Sequence, residues 1–516
     1  MPKLLVGVDV GTQGSKAAVY TTSGKLVGRA YSLHDIRYPG AGRAEMDPEQ
    51  LLDAAETAIR QAVDQAAARG MNPRDIAAVG VSGILVGQVL LDRDGRVLYP
   101  LITSLDTRAE DIAARAAREC EPLWVEESGT STLDAYAAPF LLSWVRENEP
   151  EVWREVAHTQ SVGPFIAGRL VGQRQPVIDH THLSGWMVGW DARSRSFSPR
   201  QLDAFGIPQE ILPDVVASTD VIGDVTSEVS RRTHLPAGTP VIAGAGDVMQ
   251  SNLAAGQVQP GQAVDVAGTT SILAVGVEGI LPEASRRQGL LYSLGTIPGQ
   301  SLYWGYVRSG GMSLRWFRDE VARVGENDAV YAEFDALAED VPPGSHGVLF
   351  LPYLAGGNPD SPYASGTWLG MESGTDTGIL WRSALESVAF EYHSILGAVR
   401  DAGMDLSEVL VTGGGAASGT WNQVKADVTG VPWRVPGRVD GPVLADAVLA
   451  GVGVGIYPSV AEPLEQWNLG GATHIPRRRS RALYEKAACI RAELLGGPMQ
   501  EVFARTRELR NLQVEG

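Results

Sequence analysis

Four short stretches of the chain bring carboxylates, glycines and small hydroxyl residues together at spacings that suit phosphate chemistry. Val241-Ile242-Ala243-Gly244-Ala245-Gly246-Asp247 carries an apolar run through small residues and delivers one carboxylate at its end. Such a run reads as a buried strand, and its glycines let backbone pass close to another group with no side chain between. A strand ending in an ordinary turn aspartate explains the same residues taken alone. Asp9-Val10-Gly11-Thr12-Gln13-Gly14-Ser15-Lys16 lies between two strand-like runs, Leu4 to Val10 and Ala17 to Tyr20. Strand, Gly-Thr turn and strand make a hairpin whose backbone N–H groups can face an anion. The pattern recurs where Val264-Asp265-Val266-Ala267-Gly268-Thr269-Thr270-Ser271 precedes the apolar run Ile272 to Val277. Finally, Val409-Leu410-Val411-Thr412 feeds Gly413-Gly414-Gly415-Ala416 and a helical stretch from Trp421 to Val428. A strand feeding glycines that open a helix has the geometry of a phosphate contact. Tight packing of the same turn for its own sake explains that stretch equally well in isolation.

These residues need elements to hold them, and the intervening sequence supplies an α/β pattern. Asp47-Pro48-Glu49-Gln50 opens a helix, with Asp as N-cap and Pro at the first helical position. Leu51, Leu52, Ala55, Ala58, Ile59, Ala62 and Val63 form its apolar stripe, and Gly70 ends it. Ile76 to Val81 and Val89 to Leu91 return as strands. Hairpins followed by a helix and more strands indicate a mixed α/β sheet. From Trp124 to about Trp190 the pattern is helical but irregular, and a strong helix runs within residues 373–403. Arg481 to Leu512 reads as a charged helix pair that packs on the rest. The long-period recurrence of the Gly-Thr hairpin implies a duplicated domain rather than a solenoid.

The chain has 516 residues, more than one core usually supports, so two large domains are expected. The main border is placed near Val248–Gln262, giving 1–247, 248–480 and a helical tail, 481–516. A formal net charge of −18 opposes nucleic acid or anionic membrane as the main partner. The two cysteines, Cys120 and Cys489, have no pairing or metal spacing, and the start runs straight into a strand. A soluble cytoplasmic protein is expected, with no membrane-spanning segment. Near-matches to other motifs fail on spacing: residues 11–16 are not a Walker A loop, and residues 413–418 lack the third glycine of a dinucleotide fingerprint. His180-x-His182 has no third metal ligand at a suitable spacing and reads as a loop or structural hydrogen-bonding pair.

Taken in order, these stretches resemble the FGGY carbohydrate kinase family, whose members share an actin-like, hexokinase-like (ribonuclease H-like) α/β fold of two domains with a cleft between them. The resemblance runs essentially end to end, and its length and motif order are nearest to the xylulose kinases. Gly366-x-Trp368-x-Gly370-Met371 and the segment from Leu380 to Glu386 are similar to a family signature, with Ile379 where a polar residue is expected. Trp144-Val145 and Glu149-Pro150 also look familial, without the usual preceding lysine. The resemblance implies ATP and Mg²⁺ as cofactors and a sugar or polyol as substrate. It makes Asp247 the general base and gives Asp9 and Asp247 to the metal. It gives Gly11, Thr12, Gln13, Lys16, Gly268, Thr269 and Thr270 to the phosphates, and Gly311, Gly414, Gly415 and Ala416 to the adenine and ribose end. Asp106 and Arg108 look like the family's sugar-side Asp-x-Arg, joined on the substrate side by Leu85, Val86 and Asp247. The assembly is left open, with a homodimer as one outcome.

Where that family carries polar groups for the sugar, this chain has Ile84-Leu85-Val86, and Val248 follows Asp247. Apolar side chains cannot reward hydroxyls with hydrogen bonds. The expectation is a sugar or polyol kinase with a less hydroxylated substrate; the alternative is a shifted substrate that uses Gln88, Thr103, Ser104 or Gln250. Two further readings stand beside it: an actin- or chaperone-like ATPase, and a homologue that binds sugar or nucleotide without transferring phosphate.

Overall fold

A computed structural model describes residues 3–130, 135–173, 175–279, 290–325, 329–357, 361–438, 440–468 and 470–514. The chain divides into two compact units: Met1–Pro260 with Gly276–Tyr303 and Arg438–Leu469, and Gly261–Val275 with Trp304–Gly437 and Gly470–Gly516.

The first unit is built on a mixed sheet. Its strands lie in the order Val221–Asp224, Pro240–Ile242, Ile76–Gly83, Leu4–Val10, Gly14–Thr21 and Leu26–Leu33, with Ala245–Gly246 also paired to Ile76–Gly83. Leu4–Val10 runs antiparallel to Gly14–Thr21 and parallel to Ile76–Gly83. Successive residues of the first strand face opposite sides, as strand geometry requires. Leu4, Val6 and Val8 enter a core with helix Pro48–Ala68, whereas Leu5 enters a second core with helix Pro442–Gly453. Asp47 caps the first of these helices by accepting from the Glu49 N–H at 3.0 Å, and its apolar stripe is buried.

The second helix reaches this unit because two glycines make room for it. Gly7 and Gly80 are register partners on adjacent strands. A Cβ on Gly7 would stand 1.9 Å from the Val443 carbonyl oxygen, and one on Gly80 would stand 2.2 Å from that of Asp446. Neither contact is possible with a side chain present, so the pair sets how closely the helix lies on the sheet. A linear reading assigns residues 438–469 to the C-terminal half, whereas contacts join them to the first unit. Apolar burial is non-directional and does not follow chain order. Residues 276–303 belong to the first unit for the same reason.

The second unit repeats the local plan. Gln262–Ala267 pairs antiparallel with Ser271–Glu278 and parallel with Glu408–Thr412, which continues through Trp433–Arg434 to Thr473–His474. The helix expected within residues 373–403 spans Thr377–Asp401, with Asp376 as its cap. Lys425 and Asp265 form a fully buried ion pair at 2.7 Å, with Lys425 over the ring of Trp421 and Tyr392 donating to Asp265. The tail forms helices Arg478–Gly496 and Pro498–Val514; residues 515 and 516 of the expected tail lie outside the described residues. Among the described residues no helix is long and apolar enough to cross a membrane.

Candidate active site

In the first unit, the C-terminal ends of three neighbouring parallel strands bring the candidate acids together. Asp9 pairs with Ser82, while Ala245 and Gly246 pair with Ser82 and Gly83. Ligands of open α/β sheets bind at such strand ends. Gly244 has φ +79°, and a Cβ there would lie 1.8 Å from the Val81 carbonyl oxygen. The glycine is therefore required for the chain to pass beside the central strand. Asp247 then starts helix Asp247–Ala255, and its own Oδ1 accepts from the Val248 N–H at 2.8 Å.

Burial, and after it the charge of Asp9, pushes the Asp247 carboxyl up to about 7. Asp9 is buried too, and that burial raises it despite Lys16 at 3.7 Å and Ser82 at 3.4 Å. Half of the Lys16 side chain remains open to solvent, with 47% exposure, so its ammonium can serve another anion. Gly11 donates to the Gly14 carbonyl at 3.2 Å, closing the turn on which Thr12 and Gln13 are exposed.

Tertiary structure adds Asp446 and His182, which motif reading did not place here, and brings in Gln250, a substrate-side alternative of the sequence. Asp446, in the helix seated on Gly7 and Gly80, is fully buried and accepts from Ser82 Oγ and Gln250 Nε2, each at 2.8 Å. Burial pushes its carboxyl well above the usual range, and repulsion from Asp9 and Asp247 adds to this. Gln250 also accepts from Thr296 Oγ1 at 3.3 Å. His182, fully buried, bonds through Nδ1 to Asp179. Burial works against the Asp179 charge, but His182 and Thr181 outweigh it and hold the carboxyl below its ordinary range. Thr181 Oγ1 accepts from the Gly246 N–H at 2.9 Å, tying this segment to the residue before Asp247. Of the pair read as structural, His180 keeps that character, with Nε2 3.0 Å from the Gly295 carbonyl. A histidine two residues from another gives no sequence signal of proximity to an acid 65 positions away.

The apolar trio divides. Ile84 packs against the core, whereas Leu85 fills the space above Gly246, where a Cβ would lie 2.2 Å from Leu85 Cδ2. Leu85 also lies against Gly185, and Val86 is partly exposed. Asp106 and Arg108 form a separate cluster. Asp106 accepts from Arg108 Nε at 2.8 Å and Nη2 at 2.7 Å and from the Ala44 N–H at 2.7 Å. Arg108 also donates to Glu45 at 2.6 Å and sits 4.8 Å from the centre of the Trp144 ring. These partners satisfy one another, and Asp247 is not among them. Gln88 accepts from Thr159 at 3.0 Å and Thr103 donates to the Ala44 carbonyl at 3.1 Å, while Ser104 is exposed.

In the second unit, the remaining candidates gather at one end of two parallel strands, since Val266 pairs with Thr412. Gly311 donates to the Gly268 carbonyl at 2.9 Å, and a Cβ on Gly311 would lie 2.5 Å from that oxygen. Met312 donates to the Thr269 carbonyl at 3.0 Å and Arg315 Nη2 to Thr269 Oγ1 at 3.1 Å, with Thr269 and Thr270 exposed. Gly413 takes φ +80°, and Gly414–Ala417 forms one tight turn before helix Gly419–Thr429, which Ser418 caps through the Trp421 N–H at 2.9 Å. The glycines thus lead into a short turn first, and the cap falls on a serine. Asp265, the apparent counterpart of Asp9, is held by Lys425.

The N-terminal domain of the FGGY family of carbohydrate kinases matches residues 4–254, and its C-terminal domain matches residues 263–454. A glycerol kinase of Pseudomonas savastanoi pv. phaseolicola is 28% identical over 522 residues, covering 98% of this chain and 97% of that protein. A xylulose kinase of Bacillus subtilis is 26% identical over 492 residues, covering 94% and 95%. The crystal structure of xylulose kinase from Rhodospirillum rubrum superposes with a TM-score of 0.87 at 26% identity, over 97% of this chain and 100% of that one. With both family domains matched across most of its length, on a fold that places acids and Gly-Thr turns at strand ends, the chain belongs to the FGGY family of carbohydrate kinases.

Proposed function

We propose that this kinase transfers the terminal phosphate of ATP to a hydroxyl of a small, sparsely hydroxylated sugar or polyol, with Asp247 as general base. The observation that carries the reading is the Asp247 carboxyl at the end of its strand, pushed up to about 7 by burial and by Asp9. A carboxylate with raised proton affinity is a better acceptor at neutral pH than an ordinary one. It would take the proton from the attacking hydroxyl as that oxygen bonds to the γ-phosphorus and the bond to the ADP oxygen breaks. Lys16 and the N–H groups of the Gly11–Gly14 turn suit a phosphate. Gly268, Thr269 and Thr270 offer the second unit's donors, and Gly311, Gly414, Gly415 and Ala416 are retained as candidates for the nucleoside, Gly414 having open space where a side chain would stand.

Asp9 and Asp247 repel one another in a buried setting, a donor pair that fits a divalent cation held largely through water. Mg²⁺ there would supply charge neutralisation for the transferring phosphoryl group. Leu85 beside Gly246 supports the preference for fewer hydroxyls, since it puts hydrocarbon next to the base. Asp106 and Arg108 are retained as substrate-side candidates, acting as a rigid cluster. The same reading takes residues 1–247 as the sugar-side domain, residues 248–480 as the nucleotide-side domain except for 276–303 and 438–469, which pack in the first unit, and residues 481–516 as a packing tail, in a cytoplasmic enzyme.

The test is ADP release by the purified protein with ketopentoses, tetritols, glycerol and deoxy sugars. Release that depends on one of these compounds and is lost in Asp247→Asn supports the reading. Binding without ADP release identifies a homologue that does not transfer phosphate, and release indifferent to every compound rejects a carbohydrate acceptor.

A further inference from the structure

The polar group best placed to read the acceptor is one that the mechanism above does not use. His182 Nδ1 is engaged by Asp179, whose other oxygen accepts from the Thr181 N–H at 2.8 Å and from Ser218 Oγ at 3.3 Å. A carboxylate accepts and does not donate, so this bond places a ring proton on Nδ1 and leaves Nε2 to meet a hydroxyl, as acceptor in the neutral ring or as donor in the charged one. Nε2 is buried and has no hydrogen-bond partner among the described residues. Buried polar atoms are usually paired, so this one is able to take a partner from outside the chain.

Its place in the fold says what kind of partner. His182 belongs to the segment Thr181–Gly185, which is fastened at one end to the Gly246 N–H by Thr181. At the other end Gly185 meets Leu85, the same side chain that covers Gly246. His182 is also close enough to Asp247 for its charge to act on that carboxyl. Around Asp247 the trio Ile84-Leu85-Val86 offers no hydrogen bonds from its side chains, so a lone imidazole nitrogen would count heavily in choosing among hydroxylated ligands. Resting on the phosphotransfer reading, we propose that His182 is a specificity residue whose Nε2 hydrogen-bonds a second hydroxyl of the acceptor, next to the one that Asp247 deprotonates. The preferred substrate is then a vicinal diol unit in an otherwise apolar surround, reached as Leu85 moves aside.

The test pairs spectroscopy with kinetics. The Nε2 resonance of His182 is followed in ¹⁵N-histidine-labelled protein on adding glycerol, erythritol, D-ribulose or D-xylulose, and ADP release is measured with the same four compounds. The compound that drives ADP release is expected to shift that resonance. His182→Asn keeps an amide where Nδ1 meets Asp179 but withdraws the atom at the Nε2 position. It should raise KM for that compound roughly tenfold to a hundredfold while kcat stays within about threefold. His182→Gln returns a polar atom to that reach and should bring KM back to within about fivefold of the parent; it also serves if His182→Asn does not fold. An unmoved resonance with the productive compound, or a KM for His182→Asn within about twofold of the parent, overturns the inference and leaves the kinase reading standing. If none of the compounds drives ADP release, the acceptor class is wrong and the inference falls with it.

Discussion

Replacing Asp247 by Asn removes a charge and adds no volume, so it separates the electrostatics of the site from its packing. The carboxyl stands at about 7 against an ordinary 3.8. That displacement means the folded protein disfavours the charged form by at most about 4 kcal/mol relative to the unfolded chain. The raised value also fixes the sign. Below pH 4 both states hold the proton and the residue contributes nothing that varies. Between pH 4 and 7 the folded state keeps a proton that the unfolded state has lost, so the parent loses stability as pH rises through this window. The Asn variant has no such titration. Its stability relative to the parent should therefore grow by roughly 3 kcal/mol between pH 5 and pH 8. Asp247 also raises Asp446, so relief of that second group acts in the same direction. The measurement is the denaturant midpoint of both proteins at the two pH values, without nucleotide or Mg²⁺, where taking the difference cancels the titrating groups that do not feel Asp247. At pH 8 the same variant should lose turnover by about 10²–10⁴-fold. A stability gap that does not widen with pH would refute the buried, repelled carboxylate. Turnover within tenfold of the parent would refute its role as base.

Three further outcomes follow from packing and charge. Gly7→Ala should destabilise the first unit by several kcal/mol or prevent its folding, because the methyl group would lie 1.9 Å from a helix carbonyl, and thermal unfolding reads this directly. Asp265→Asn strands the fully buried Lys425 ammonium without its counter-charge, so a loss of about 3–5 kcal/mol is expected by denaturant titration; a loss below 1 kcal/mol would mean that the aromatic rings suffice. Lys16→Met removes a half-exposed cation beside Asp9 and should raise KM for ATP or lower kcat with little change in melting temperature. A fall in melting temperature with unchanged kinetics would make Lys16 a structural residue.

Much of the site's backbone was legible because local chemistry dictates it. Gly-Thr turns between strands, an Asp-Pro helix start and a strand ending in small residues each follow from the conformations those residues allow, and each appears where expected. The same holds for the repeat, since hairpin plus parallel strand occurs in both units. The surroundings of Asp247 were not legible. Asp446 lies 364 positions from Ser82, and nothing in its own neighbourhood, an apolar helix, marks it as a partner. It arrives because two glycines in adjacent strands leave room for that helix. His182 arrives through Asp179, Thr181 and a backbone N–H, contacts without sequence periodicity. The serine cap after the triple glycine and the self-contained Asp106–Arg108 cluster were likewise decided by space and hydrogen-bond geometry.

The sequence alone determined most element types, the duplicated plan and which residues are candidates for phosphate, because dihedral preference and side-chain chemistry are local. Only the tertiary structure decided which acids act on one another, which are neutralised by a partner and which buried nitrogen is left unpaired, because proton affinity and hydrogen-bond satisfaction depend on burial and on neighbours distant in the chain.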